Sequence, residues 1–424
     1  MNLLFLSTVY PHPTTPVCGT FNWQLCQSLG AQADVRVLAP RSWLDVIRHR
    51  GTLPVEVPSG VPVQAPTFFY PPLVLKQHYG RCLWWSIRET VKRTLAEFPV
   101  DWVVSYWAHP DGEAGLRAAR EAGARAAVIV GGSDVLLLPN DPRRKQAVVN
   151  VLQQSDAVLT VCEGLRHRVG ALGVDLGHVR TLTQGIDPSR FKHGDRAAAR
   201  TLLGIPADVP VFLWVGRMVE LKRLDVLVRA FARLHQRQPD ARLYLVGSGP
   251  RRRTIQKLVE SLNLQDRVRC VGPVQPADLP QWFQAADATV LSSASEGLPN
   301  VLRESLACGT PFVATDVGSI SEIADPFQSI LVRPGRDDEL ASAMSDILDS
   351  AYAEGARSYQ PQSWDQSARD LISVLRGIDA TRLNCKSDVS EKTPLGLPQG
   401  RGSVGDVKSD ISNGSEAASG RIDQ

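Results

Sequence analysis

The sequence predicts an α/β protein made of two doubly wound parallel sheets, and three observations predict it. Short apolar runs alternate with stretches of helical period along most of the chain, the pattern of βαβ units. The alternation breaks at a polar, charged passage near residues 190–208 and then starts again. At 424 residues with 43% hydrophobic content, the chain can build two cores of ordinary size.

In the first half, Asn2–Leu6, Val35–Leu38, Trp102–Ser105, Ala126–Val130, Ala157–Val161 and Val179–Leu182 read as strands. They are continuous apolar runs, as strands covered on both faces must be. Phe21–Leu29, Arg81–Phe98, Pro110–Ala122 and Arg143–Gln154 read as the helices between them. The Pro-rich stretch between Leu53 and Lys76 is left unassigned. In Arg81–Phe98, the residues Trp84, Ile87, Val91, Leu95 and Phe98 form one stripe, and Arg81, Arg88 and Lys92 form another. Such a helix either packs on the core with its basic residues in water or lies on a bilayer surface.

The second half repeats the pattern with Val211–Val215, Leu243–Val246, Val268–Val271, Thr289–Leu291, Phe312–Ala314 and Ser329–Val332. Ligands of such sheets bind outside the carboxyl ends of the strands, so the residues that follow each strand are the candidates. After the first of these strands, Arg217 and Lys222 share one short loop, where two fixed cations can reach a diphosphate. After Ala288-Thr289-Val290-Leu291 come Ser293-Ala294-Ser295-Glu296-Gly297-Leu298-Pro299-Asn300-Val301-Leu302-Arg303-Glu304, with Cys308-Gly309-Thr310-Pro311 closing the stretch. This reads as a strand tip, a turn and a helix with Pro299 in its first turn and Gly309 past its end. The amides of Gly297, Leu298, Asn300 and Val301 then make the helix end an anion site. Glu296 precedes that site, and Glu304 lies below it on the same face.

Composition excludes other classes. Lys+Arg 47 against Asp+Glu 44 gives no nucleic-acid footprint. Seven cysteines, an odd number without metal-like spacing, fit a reduced, cytosolic compartment. The first residues lack the basic lead of a signal peptide, and no apolar run is long enough to span a bilayer. A soluble, cytoplasmic protein is expected, at most peripheral to a membrane. From Arg382 to Gln424 the chain is rich in Ser, Gly and charge, which predicts a disordered tail.

The whole string SEGLPNVLRESLACGTPFVATDVGSISEI resembles glycosyltransferase family 4, the retaining, nucleotide-sugar-dependent enzymes of the GT-B fold, in which two Rossmann-like domains face each other across a cleft. Gly216 to Asp225 resembles the family's Gly-Arg-Leu-x-x-x-Lys-Gly-x-Asp, with Arg223 where Gly is usual. Thr183 to Phe191 is similar to its pre-hinge signature, with Gln184 in place of Asn. The resemblance covers residues 1–378. The domains it implies are 1–190 on the acceptor side, a linker at 191–208, a nucleotide-sugar domain at 209–355 and a helical segment at 356–381 that crosses back, followed by the tail at 382–424.

The resemblance implies donor contacts at Arg217, Lys222, Val271, Val274, Gly297, Leu298, Pro299, Asn300, Val301 and Glu304. Gly247-Ser248-Gly249-Pro250 matches the family's nucleotide wall. Glu296 is expected to position the donor sugar and to be catalytic, with His109 of the His-Pro-Asp-Gly segment contacting the donor or carrying a proton; the other reading of His109 is structural. Gly19 either lets backbone approach a phosphate or is an ordinary loop glycine. Asp134 of Gly-Ser-Asp either orients an acceptor hydroxyl or caps the following helix. No Asp-x-Asp pair occurs, so Arg217, Lys222 and the helix end are expected to stabilise the departing phosphate without a metal or other cofactor.

The expected partners are a nucleoside-diphosphate sugar, with UDP favoured, and a glycan or lipid-linked acceptor. The expected setting is bacterial envelope or exopolysaccharide synthesis, and the segments near the N-terminus resemble the teichuronic-acid branch. A nucleotide-sugar epimerase and a non-catalytic nucleotide-sugar-binding protein are the alternatives.

Overall fold

Both expected sheets are present, and every strand pair in them is parallel. The computed structural model describes residues 1–16, 18–49 and 60–390, with side chains up to 380. The first lobe contains β1 (Asn2–Leu6), β2 (Asp34–Leu38), β3 (Arg41–Ser42), β4 (Val63–Gln64), β5 (Thr67–Phe68), β6 (Trp102–Tyr106), β7 (Arg125–Val130), β8 (Ala157–Thr160) and β9 (Val179–Thr181). Seven of them form one sheet in the order β4-β2-β1-β6-β7-β8-β9, and β3 and β5 pair apart from it. The second lobe contains β10 (Val211–Val215), β11 (Arg242–Val246), β12 (Val268–Gly272), β13 (Ala288–Leu291), β14 (Phe312–Thr315) and β15 (Ser329–Val332). Its order is β12-β11-β10-β13-β14-β15, the doubly wound arrangement that reverses direction between β10 and β13.

The sequence explains why these runs are strands. In β1, β6, β7 and β8 nearly every residue is buried, because helices cover both faces. The helix Tyr79–Glu97 turns Leu83, Ile87 and Val91 into the core of the first lobe. Its apolar stripe therefore serves packing.

Three expectations change. The stretch 191–208 is not a bare linker: Arg196–Leu203 is a helix, capped where the Asp195 carboxylate accepts from the amides of Ala197 and Ala198. Phe191, Ala199 and Ile205 join a core of the second lobe with Phe283. Arg200 donates to Asp287 at 2.7 Å and fixes this helix to the end of the helix Leu279–Ala285. The Pro-rich stretch contains β4 and β5 at 63–68, while 50–59 lies outside the described residues. The last helix runs from Trp364 to Ser390, past its expected end, since the sequence there has no Gly or Pro after Gly377 to stop it. The rest of the expected tail, 391–424, lies outside the described residues.

The compact unit Met1–Ile378 holds both lobes. The early part of the last helix belongs to the first lobe, because Trp364, Ala368, Leu371, Ile372 and Leu375 enter its core. Ser363 pairs with Ile186, and the Ser367 hydroxyl donates to the Thr183 carbonyl at 2.7 Å. Among the described residues, no helix is long and apolar enough to cross a membrane.

Candidate functional site

The sheet reverses between β10 and β13, the place where doubly wound sheets bind ligands, and two charged residues meet at the carboxyl ends of these strands. Lys222 follows β10 and Glu296 follows β13; the ammonium donates to the Glu296 Oε1 at 2.6 Å. The Ser293 hydroxyl donates to the same oxygen at 2.5 Å. Backbone bonds stitch the two loops together: Ala294 N to the Leu221 carbonyl at 2.8 Å, with the Ser292 hydroxyl donating to the carbonyls of Lys222 and Arg223. Arg223 sits at φ +45°, the left-handed region that favours glycine, which explains why glycine is usual at this position. Its guanidinium is held by Asp225.

The helix Asn300–Ala307 begins one residue later than expected, with Pro299 as its N-cap at ψ 108°. A residue in extended conformation is what an N-cap requires, and proline at this place has no N–H to leave unpaired. Among the described residues, the amides of Gly297, Leu298, Asn300 and Val301 have no acceptor. The expected anion-ready end is therefore open for hydrogen bonding. The backbone leading to it is braced from behind by Gly318 (φ +63°), where a Cβ would stand 2.0 Å from the Glu296 carbonyl oxygen. Ser319 N also donates to the Gly297 carbonyl at 3.0 Å.

This helix end faces the first lobe. Gly297 Cα lies 3.7 Å from where a Cβ on Gly132 would be, and Leu298 packs on the core of the first lobe. The Asn300 amide donates to Gln184 at 3.1 Å, and Gln184 donates to the Tyr106 hydroxyl at 3.3 Å. One turn along, the half-buried Glu304 carboxylate has no hydrogen-bond or ion-pair partner among the described residues. Burial pushes its pKa up to about 7, against the nearby charges of Arg190 and Arg303.

Not every expected residue converges here. Arg217 is exposed, has no partner among the described residues, and lines a cavity with loops of the first lobe, including Thr8 and Trp107. Val271 and Val274 lie at the end of β12, half-buried against the second lobe's core. Gly19 owes its identity to a backbone crossing: at φ +69°, a Cβ there would stand 2.3 Å from the Val9 carbonyl oxygen. That packing accounts for the glycine without a phosphate.

In the first lobe, the loops after β1 and β6 also meet at a sheet reversal. The Asp111 carboxylate accepts from Thr8 N at 2.8 Å and from the Thr8 hydroxyl at 2.9 Å, and burial pushes its pKa up to about 7. His109 is fully covered: Gly80 N donates to its Nε2 at 3.4 Å, and Nδ1 makes no hydrogen bond. Burial, then Arg144, pulls its pKa down to about 4, so the ring is neutral. No face of the ring is open in this conformation, and the expected donor contact is not available to it as it stands. Asp134 accepts from Ala108 N at 3.1 Å and from Gly132 N at 2.9 Å, and burial pushes its pKa up to about 6. Both oxygens tie two loops together, so it holds backbone rather than facing an acceptor.

Sequence reading missed Asp111, Ser293 and Gln184 as working parts of this region. It also gave Glu322 only a place in a pattern. The Glu322 carboxylate, from the second lobe, accepts from Glu163 N at 2.8 Å and Gly164 N at 2.6 Å, the first amides of the helix Glu163–Ala171 in the first lobe. It caps that helix from across the cleft. Cys162, the residue before it, donates to the Ser319 hydroxyl at 3.0 Å. Such contacts join positions more than 150 apart in sequence, and no local spacing announces them.

Two doubly wound lobes, with paired charge and unpaired helix amides at the sheet reversal of the second, are the GT-B architecture. Two family models match in succession, Glycosyltransferase Family 4 over residues 19–190 and Glycosyl transferases group 1 over residues 195–371. The chain belongs to the family 4 glycosyltransferases. It is 37% identical to D-inositol 3-phosphate glycosyltransferase 2 of Catenulispora acidiphila over 51% of this chain and 54% of that protein. It is 36% identical to the D-inositol 3-phosphate glycosyltransferase of Saccharomonospora viridis over 47% of this chain and 50% of that one. The match thus spans about half the length of these curated relatives. Among solved structures, Anabaena HepE in complex with UDP is similar at TM-score 0.65 and 19% identity, over 92% of this chain and all of that one. Sucrose-phosphate synthase from Thermosynechococcus elongatus is similar at TM-score 0.70 and 22% identity, over 93% of this chain and 100% of that one.

Proposed function

We propose that this chain is a retaining, metal-independent glycosyltransferase that moves a sugar from a nucleoside-diphosphate sugar, with UDP as the favoured nucleotide, to a glycan or lipid-linked acceptor. The observation that carries the reading is the Lys222–Glu296 pair, at 2.6 Å, set beside four unpaired amides at a sheet reversal. A diphosphate there meets an ammonium and a helix N-terminus, each of which stabilises negative charge as it grows on the departing phosphate. Glu304, unpartnered one turn down, suits two ribose hydroxyls. HepE, a protein of the same fold, was solved with UDP, which supports the choice of nucleotide.

In this reading the bond from the sugar's anomeric carbon to the diphosphate oxygen breaks, and a new bond forms to the acceptor oxygen on the same face. The acceptor's proton passes to the departing phosphate. Glu296 orients the donor sugar and favours its cationic ring electrostatically, while Lys222 and the amides hold the diphosphate. The lobes exclude water from a cation that would otherwise hydrolyse. His109, neutral and buried, supports the loop after β6. Cytoplasmic action in envelope or exopolysaccharide synthesis, at a membrane face, is part of the same proposal.

The test is a thermal-shift screen of nucleotide sugars, followed by donor hydrolysis with and without EDTA. A UDP-sugar is expected to raise the melting temperature, and hydrolysis is expected to persist in EDTA. Binding without hydrolysis or transfer would favour a non-catalytic role, and conversion of the donor to an epimer without acceptor would favour an epimerase.

A further inference from the structure

We propose that the groove between the helices Glu113–Ala122 and Pro142–Gln154 of the first lobe is a binding site for a dianionic phosphate group, separate from donor and acceptor. The groove measures about 360 Å³, and the segment around Arg81 completes its wall. No described residue of the second lobe lines it. None of its lining residues lines the cavity that Thr8, Trp107 and Arg217 share. A ligand held here is thus apart from Lys222, Glu296 and the open helix end.

The charge of the groove selects the class of ligand. Arg81, Arg117, Arg120 and Arg143 line it, and Glu113 is the one carboxylate among its described lining residues. Four cations against one anion leave a surplus of three positive charges. Glu113 Oε1 accepts from Arg117 at 3.0 Å and stands 3.8 Å from Arg81. Its Oε2 is held against Gly80, where a Cβ would stand 2.4 Å away, and lies 3.8 Å from the neutral His109 ring. Both oxygens of the one acid are therefore engaged. Arg120 donates to the neutral Gln154 amide oxygen at 2.5 Å. The Arg143 side chain has no hydrogen bond or ion pair among the described residues, and Asp141, beside the groove, accepts from the Arg143 amide at 3.0 Å as the cap of its helix.

A second observation sets the groove apart from an ordinary solvated basic surface. The Arg117 Nε is buried and has no partner among the described residues. Leu116 and Val151, both buried, lie under the arginines, and a low-dielectric floor strengthens the field of cations left without counter-ions. The Asn150 amide oxygen accepts from Gln146 at 2.7 Å, which leaves its NH2 group as a further donor in the wall. A guanidinium binds a phosphate through parallel N–H bonds, and a dianion held by two of them offsets most of the surplus. A neutral sugar would leave that surplus in place.

The phosphate can belong to a small soluble molecule or to a lipid headgroup, since Gln77 and Arg143 also line a neighbouring recess with the exposed Leu73 and Leu75. The experiment separates the two sources. Calorimetric titrations use the full chain in excess UDP, which keeps the proposed donor site filled. The probes are inorganic pyrophosphate, glycerol 3-phosphate and phosphatidylcholine vesicles that contain one fifth phosphatidic acid, with glycerol and pure phosphatidylcholine vesicles as controls. At least one phosphate probe is expected to bind with a Kd of about 1 mM or tighter while its control does not bind. Arg117→Gln with Arg143→Gln is expected to weaken that binding by about tenfold or more, as loss of charge-assisted hydrogen bonds requires. Arg369→Gln with Arg376→Gln, which removes the same charge from the exposed side of the last helix, is expected to leave it within about twofold.

Binding of pyrophosphate or glycerol 3-phosphate supports a soluble ligand, and binding confined to the phosphatidic acid vesicles supports a lipid headgroup. If the double variant at 117 and 143 fails to fold, as loss of its cooperative melting transition would reveal, Arg143→Gln alone is read in its place. That side chain is exposed, and its loss is expected to weaken binding by about threefold. Failure of every phosphate probe to bind overturns the proposal, as does full affinity in the variants of the groove. An equal loss in the variant of the last helix also overturns it, because the attraction would then belong to net charge and not to this groove.

Discussion

Lys222 and Glu296 come from loops on opposite sides of the sheet reversal in the second lobe and meet at 2.6 Å. Each is the other's counter-ion: the side chains are 22% and 10% exposed, so neither charge is fully hydrated. A diphosphate that enters must compete with Glu296 for the ammonium, and a sugar must compete with Lys222 for the carboxylate. In the proposed function, the pair holds both groups in place for a ligand that needs both.

Glu296→Gln removes the counter-ion but keeps the shape and one acceptor for Ser293. Donor turnover is expected to fall by about a hundredfold or more, the size of effect seen when one electrostatic stabiliser of a transition state is lost. UDP affinity is expected to stay the same or rise, since Lys222 is released to the phosphate. Rate and affinity measured on the same preparation check this, and near-wild-type turnover would remove Glu296 from the chemistry.

In the proposed donor site, Glu304 predicts a pH dependence with a defined sign. Its pKa in the free protein is raised to about 7 from an ordinary 4.5, so the folded chain takes up a proton there before the unfolded chain does. The fold is accordingly favoured by this group at low pH and loses that contribution as pH rises from about 4.5 through 7. Ribose hydroxyls donate to the ionised form, and affinity for a UDP-sugar is expected to increase between pH 6 and 8. Titrations across that range should show a flat profile in Glu304→Gln; an equal slope in the variant would assign the dependence elsewhere.

Glu322→Ala removes the cap that the second lobe places on the helix Glu163–Ala171. The carboxylate is exposed, and a loss of about 1 kcal/mol is expected, as for an ordinary N-cap. Because the contact spans the lobes, small-angle scattering of the ligand-free variant is expected to show a larger radius of gyration. Unchanged scattering with reduced stability would make the contact a cap alone.

The first lobe also carries an unusual surface. Phe69, Leu73, Val74, Leu75 and Trp85 are 62%, 83%, 57%, 55% and 63% exposed. Phe69 N donates to the Ser86 hydroxyl at 3.0 Å, which holds the start of this loop against the helix that carries Trp85. Arg88 lies over the Trp85 ring at 4.6 Å, and Lys76, Arg81, Lys92 and Arg93 are close in sequence. Apolar residues beside basic ones suit an anionic bilayer. Sedimentation with vesicles of 30% phosphatidylglycerol is expected to retain the chain at low salt, and Leu73→Ser with Trp85→Ser to release it. Equal retention by phosphatidylcholine vesicles would contradict an electrostatic share in the contact.

The strands were legible because their burial is local: a run such as Val211–Val215 records in five residues that both faces of its sheet are covered. The anion-ready helix end was legible for the same reason, since strand, turn, Pro299 and Gly309 follow one another in sequence. The helix Arg196–Leu203 was not, because its polar face concealed the few apolar residues that reach the second lobe's core. His109 and Asp134 were assigned from motifs that carry no record of burial. What covers His109 comes from the helix that begins at Tyr79, and what Asp134 binds is backbone at Ala108. Lys222 and Glu296 were each named, but their contact was not, because 74 residues separate them.

The claim that Lys222 and the open helix end hold a nucleoside diphosphate is tested most directly by calorimetric titration of UDP into the wild-type chain and Lys222→Ala. The wild type is expected to bind, and the variant to bind at least tenfold more weakly, as loss of a charged hydrogen bond of about 1.5–3 kcal/mol requires. Equal affinity in the two chains, or no binding by the wild type, would contradict the account.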